Sequence, residues 1–139
     1  MRRINWWRVV LGGLAAGVLC NVSGITLAHF FMRAEVDAVM KRLNLTFGLD
    51  VALLHVSMRL ALGLAAVWLY AAIRPRFGPG PRTACVAGIV LWLFTYCFAL
   101  AGMWSYHIFA SRLLLIAAVW GLAEVLLCAL LGGGLYREA

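Results

Sequence analysis

A chain of 139 residues with 65% hydrophobic side chains and a mean hydropathy of +0.97 has too little polar area to coat a water-soluble domain. The net charge of +7 would suit nucleic acid, but the arginines stand at the ends of apolar runs, where lipid head groups meet them, and nucleic-acid binding is set aside. Four membrane spans of about 20 residues each consume nearly the whole length and leave no room for a soluble catalytic domain.

The first uncharged stretch, 9–32, follows Arg2-Arg3 as a signal peptide would. It is longer than a signal h-region and lacks a clean small-x-small cleavage pattern, so it is read as a retained span over about 7–31. Residues 32–46 alternate charged and apolar side chains (Arg33, Glu35, Val36, Asp37, Val39, Met40, Lys41, Leu43). The spacing of three and four predicts a short interfacial helix lying on the membrane surface.

A second span is expected over 49–73, stopping at the run Ile-Arg-Pro-Arg-Phe-Gly-Pro-Gly-Pro at 73–81. This run holds all three prolines and is expected to end the helix as a rigid basic turn. Residues 83–111 carry no formal charge, and a third helix is placed at 83–103, followed by an aromatic turn with Trp104, Tyr106 and Phe109. The fourth helix is expected over 111–135. The predicted fold is thus an all-α integral membrane protein, one four-helix transmembrane bundle over 1–139. Seven basic residues (Arg2, Arg3, Arg8, Arg74, Arg76, Arg82, Arg137) against four (Arg33, Lys41, Arg42, Arg112) put both ends in the cytoplasm. Leu69-Tyr70 before Arg74 is echoed by Leu135-Tyr136 before Arg137, a faint hint of two related hairpins.

Arg59 and Glu124 are the residues that most need explaining, because a charge at the centre of a span costs about 2.5–3.5 kcal/mol on the insertion scale. Counted from Arg74 and Arg137 they lie at matching depth, and an ion pair between the second and fourth helices would satisfy both. Glu124 is also the candidate coupling group of a proton- or cation-linked site. On the first helix Gly13, Gly17, Asn21, Gly24 and Ala28 share one face, the small-xxx-small pattern of close helix packing; its partner is either another helix of this chain or a second protein.

His29, His55 and His107 gather toward the outer side. They read as interfacial or bundle polar groups, with haem or chlorophyll ligation, chiefly by His55, as the alternative. Cys20, Cys85, Cys97 and Cys128 have no CxxC spacing and read as inert thiols; no metal site is expected. Arg74, Arg76 and Arg82 are assigned to lipid head groups. No nucleophile–base pair or phosphate loop is present, and neither enzyme activity nor a resident cofactor is expected.

In residues 4–17, in 68–84 with its arginine-proline turn, and again at 112–115 and 119–124, the chain resembles a group of uncharacterised bacterial four-helix membrane proteins. The resemblance implies a four-span inner-membrane protein and brings no activity with it. Residues 22–47 depart most from the group's pattern, which places any binding role special to this chain there. The preferred expectation is a non-enzymatic accessory or structural subunit of a larger inner-membrane complex, or a homo-oligomer in the same lipid, with Trp92, Phe94, Phe98 and Trp120 available for lateral contacts. The rivals are a haem- or chlorophyll-binding electron-transfer module using His55, and a small oligomeric transporter coupled through Glu124.

Overall fold

A computed structural model describes residues 4–137; Arg2 and Arg3, which enter the charge count, lie outside the described residues. The elements are α1 (Trp6–Leu27), a π-helical turn (Ala28–Met32), α2 (Arg33–Arg42), α3 (Leu49–Phe77), α4 (Pro81–Trp92), a second π-helical turn (Leu93–Cys97), α5 (Phe98–Ser105) and α6 (Ser111–Leu135). Four helical stretches are long and apolar enough to cross a membrane: Trp6–Arg42, Leu49–Phe77, Pro81–Ser105 and Ser111–Leu135. They pack as a bundle. α1 lies against α3 and α6, α4 lies against the same two, and α3 and α6 touch across the diagonal.

The fourth helix has the predicted bounds; the others differ for local reasons. The short surface helix expected after the first span is corrected: residues 33–42 are helical, but as a direct continuation of that span rather than a separate element. Residues 25–47 contain neither Gly nor Pro, so the hydrogen-bond ladder runs on through the π-turn into α2, and only the polarity changes. The end of α2 is held where the Arg42 guanidinium donates to the Ile108 carbonyl at 2.9 Å.

The second helix was expected to stop at 73, and this is corrected: it continues through Pro75 to Phe77. A proline deletes one N–H donor, yet later amides still find their carbonyls, as Gly78 N–H does on Arg74 at 2.9 Å. What ends the helix is Gly78 at φ +84°, followed by Gly80 at φ +129°, conformations that glycine alone adopts without strain. Pro81 then opens α4 at a position where its missing donor costs nothing. The third helix accordingly starts two residues before the expected 83, and it runs to Ser105 rather than 103.

The glycine face of α1 is used within the chain. A Cβ on Gly13 would stand 2.7 Å from the Leu64 Cα, one on Gly17 2.8 Å from the Leu60 Cα, and Gly63 of α3 sits directly over the Gly13 and Gly17 backbone. Close backbone approach is how small residues bind helices in lipid, where no hydrophobic effect separates helix from solvent. Ala28 ends this face one turn beyond Gly24, where its amide still bonds the Gly24 carbonyl, and it is exposed. On the other flank Gly12 meets Gly132, whose carbonyl lies 2.9 Å from a Gly12 Cβ position.

The bundle closes at the end that carries Asn5 and Tyr136. Tyr136 stacks edge-on against Tyr70 with 6.0 Å between ring centroids, so the two Leu-Tyr echoes of the sequence meet. The hydroxyl of Tyr136 accepts from the Asn5 amide, and that of Tyr70 from the Gly80 amide, each at 3.2 Å. At the far end the helices diverge: residues 53–58 of α3 are all exposed, and α5 rests on α6.

Candidate functional site

In α3 every Cα–Cβ bond tilts toward the helix N-terminus, which here is the far end. The Arg59 side chain therefore reaches away from the closed end and into the space over Gly24 of α1. A Cβ at Gly24 would coincide with the guanidinium, so this glycine is the cradle for Arg59 rather than only a packing residue. Arg59 Nη1 donates to the Cys20 carbonyl at 2.8 Å and to both carboxylate oxygens of Glu124, at 2.9 and 3.1 Å. With two protons and three acceptors, one N–H is shared between the carboxylate oxygens. The Tyr96 hydroxyl completes the group by donating to Glu124 Oε1 at 2.6 Å.

All four spans contribute: a backbone carbonyl from the first, the cation from the second, the phenol from the third and the carboxylate from the fourth. Glu124 is 2% exposed and stands at the midpoint of α6. A carboxylate so placed must be paired and hydrogen-bonded, and charge-assisted donors from two helices do this. The expected ion pair is therefore present, between diagonal helices and with very unequal burial: the Arg59 side chain is 26% exposed.

Tyr96 was not singled out by the sequence. A signal existed: tyrosine belongs at the membrane–water interface, and one near the middle of an uncharged span needs an internal partner. It lies in the Leu93–Cys97 π-turn, and Gly121 of α6 leaves the room its ring occupies. Replacing Tyr96 by Phe keeps the ring and removes one donor from a charged acceptor, an expected loss of about 0.6–1.7 kcal/mol, the range of hydrogen bonds between membrane helices. Unfolding in mixed micelles would measure it; no change would show that the phenol is not bonded to Glu124.

Asn21 does bond across the α1–α3 contact, donating to the Val56 carbonyl at 3.4 Å as well as to its own Gly17 carbonyl at 2.9 Å. The three histidines are dispersed and exposed. His55 contacts the Val51 carbonyl at 2.9 Å and His107 the Trp104 carbonyl at 2.8 Å, while His29 lies edge-on to Phe30. Among the described residues no three His, Cys, Asp or Glu side chains group as metal ligands, and none of the three surface grooves is lined by a histidine. The cysteines are free, with Cys20 and Cys128 buried beside the ion pair; the Cys128 thiol donates to the Ala16 carbonyl at 3.3 Å.

Two assignments are corrected. Arg74 does not extend from the bundle toward head groups; its guanidinium lies 5.6 Å from the Tyr136 ring centroid, a cation–π contact that fastens the closed end. Arg76 and Arg82 are exposed there. Trp92 and Trp120 are not free for lateral contacts either. Their indole N–H groups donate at 2.8 Å to the Ala118 carbonyl and the Ser23 hydroxyl, which draws both rings inward. Phe94 and Phe98 do remain exposed, stacked on each other with 5.8 Å between centroids.

No family model, curated protein or solved structure matches this chain. What the chain is, on its own residues, is an all-α protein of four long apolar helices bundled around one buried, four-helix ionic group.

Proposed function

We propose that the chain is a non-enzymatic component of a bacterial inner membrane, with both ends in the cytoplasm, that packs laterally as an accessory subunit of a larger membrane assembly. The observation that carries this reading is the third span. Only 17% of its apolar window is buried, against 44% for the fourth span, and its far half exposes Leu93, Phe94, Phe98, Met103 and Trp104 on one continuous stretch. The glycine face of α1, by contrast, is spent within the chain and is not offered to a partner. A photo-crosslinking residue placed at Phe94 or Phe98 in cells is expected to give a discrete protein adduct, while the same residue at Leu14 of α1 gives lipid adducts. Lipid adducts at all three positions would dismiss the proposal.

A second reading, a small carrier coupled through Glu124, is favoured by the convergence of all four spans on one ionic group near mid-span, the place where carriers hold their coupling groups. Proton-linked flux in reconstituted vesicles that is lost in Glu124→Gln would support it; equal flux in the two proteins would remove it.

A further inference from the structure

The ionic group leaves one part of Arg59 unused. Nη1 makes every hydrogen bond the side chain has, while Nη2 and Nε donate to no described residue. Neither of those nitrogens is sealed in the bundle, since the side chain is 26% exposed and neither is a buried atom without a partner. Three N–H donors thus reach an accessible surface near mid-span, where lipid has no acceptor to offer and each unsatisfied group is costly. The edge formed by Nε and Nη2 is the one that matches a carboxylate with two parallel bonds. Nη2 lies over Gly24, where the absent Cβ gives it room, and the Arg59 side chain as a whole reaches toward the far end.

We infer that the free edge of Arg59 is a binding point for a small monovalent carboxylate entering from the far end, and that Glu124 takes up one proton as the anion binds. The charge count requires the second half. Arg59 and Glu124 sum to zero, and an added anion would leave one uncompensated negative charge near mid-span. The groups facing Glu124 are Arg59 from α3, Tyr96 from the third span and the Cys20 thiol from α1, with Cys128 one turn along its own helix. Of these only Glu124 itself can absorb a proton to restore neutrality. The proton and the anion both come from the aqueous phase, so the bound state is neutral. This deepens the carrier reading, and the two fail separately: acetate bound without acetate flux removes the carrier and keeps the site.

The test uses the full chain in zwitterionic nanodiscs, with ¹⁵N-labelled arginine, titrated with acetate while sulfate holds the ionic strength. One arginine Nε–H resonance is expected to shift and saturate, with apparent affinity rising severalfold as the pH falls from 8 to 6. In Glu124→Gln the binding is expected to persist, tighter at pH 8 and independent of pH, a gain that a purely structural carboxylate would not give. Arg59→Lys is expected to show no acetate heat by calorimetry. No saturating resonance in the unmodified protein overturns the inference without any variant. A pH dependence of acetate affinity that survives in Glu124→Gln overturns the proton assignment.

Discussion

Replacing Arg59 by Met is expected to destabilise the bundle by about 3–5 kcal/mol, the usual cost of stranding one member of a buried ion pair. The cost lies in what is left behind. Glu124, 2% exposed, would keep only the Tyr96 hydroxyl, and it would have to take a proton or hold its charge against an apolar surround. The double replacement Arg59→Met with Glu124→Met strands nothing and is expected to lie closer to the original stability than Arg59→Met alone. Hydrogen bonds between membrane helices couple by only about 0.6 kcal/mol on average, so the large single-site loss reports the abandoned charge rather than the bond itself. Reversible unfolding in mixed micelles would read both variants. Losses that simply add would show that Arg59 and Glu124 do not meet.

Gly63→Ala is expected to be nearly as informative, with a loss of about 1–3 kcal/mol from overpacking. The new methyl group would meet the Gly17 amide and the Gly13 carbonyl, and backbone cannot rotate aside as a side chain would. Spreading α1 from α3 would also lengthen the Asn21 bond to Val56, already 3.4 Å. Gly134→Ala and Gly102→Ala supply the contrast, since nothing lies within 4 Å of a Cβ at either site. Both are expected to change stability by less than about 0.5 kcal/mol, the range of substitutions that touch nothing. The same unfolding assay separates the pair of outcomes.

The spans were legible because apolar runs of this length have one physical solution in lipid, and the fourth needed no correction: its flanks change composition abruptly at Ser111 and after Leu135. Arg59 and Glu124 were legible for the same reason, as charges where charge is expensive. Chain continuity at Met32 was harder to read, because a change from apolar to polar residues marks the membrane surface and not the end of a helix. The tail of α3 is hidden in the sequence because proline commonly terminates helices, whereas near a helix end it deletes one bond and the glycines that follow do the stopping. Neither π-turn has a sequence signature here; the second places Tyr96 where Gly121 of the neighbouring helix leaves room for its ring. The partner of the glycine stripe was open for a related reason: a stripe states that something comes close, and only the pairing of Gly63 with Gly13 and Gly17 says what.

Everything about Arg59, Tyr96 and Glu124 rests on their lying at the centre of a lipid-embedded bundle. Spin labels scanned along the exposed positions of α6, from Leu115 through Val119, Ala123 and Leu127 to Leu131, would locate that centre by the ratio of oxygen to aqueous nickel collisions. The ratio is expected to peak at Ala123 and fall in both directions, with matching peaks for labels at Val22 of α1 and Met58 of α3. A peak at Leu115 or Leu131, or a flat profile in which nickel reaches every site, would contradict the placement of the ionic group at mid-membrane.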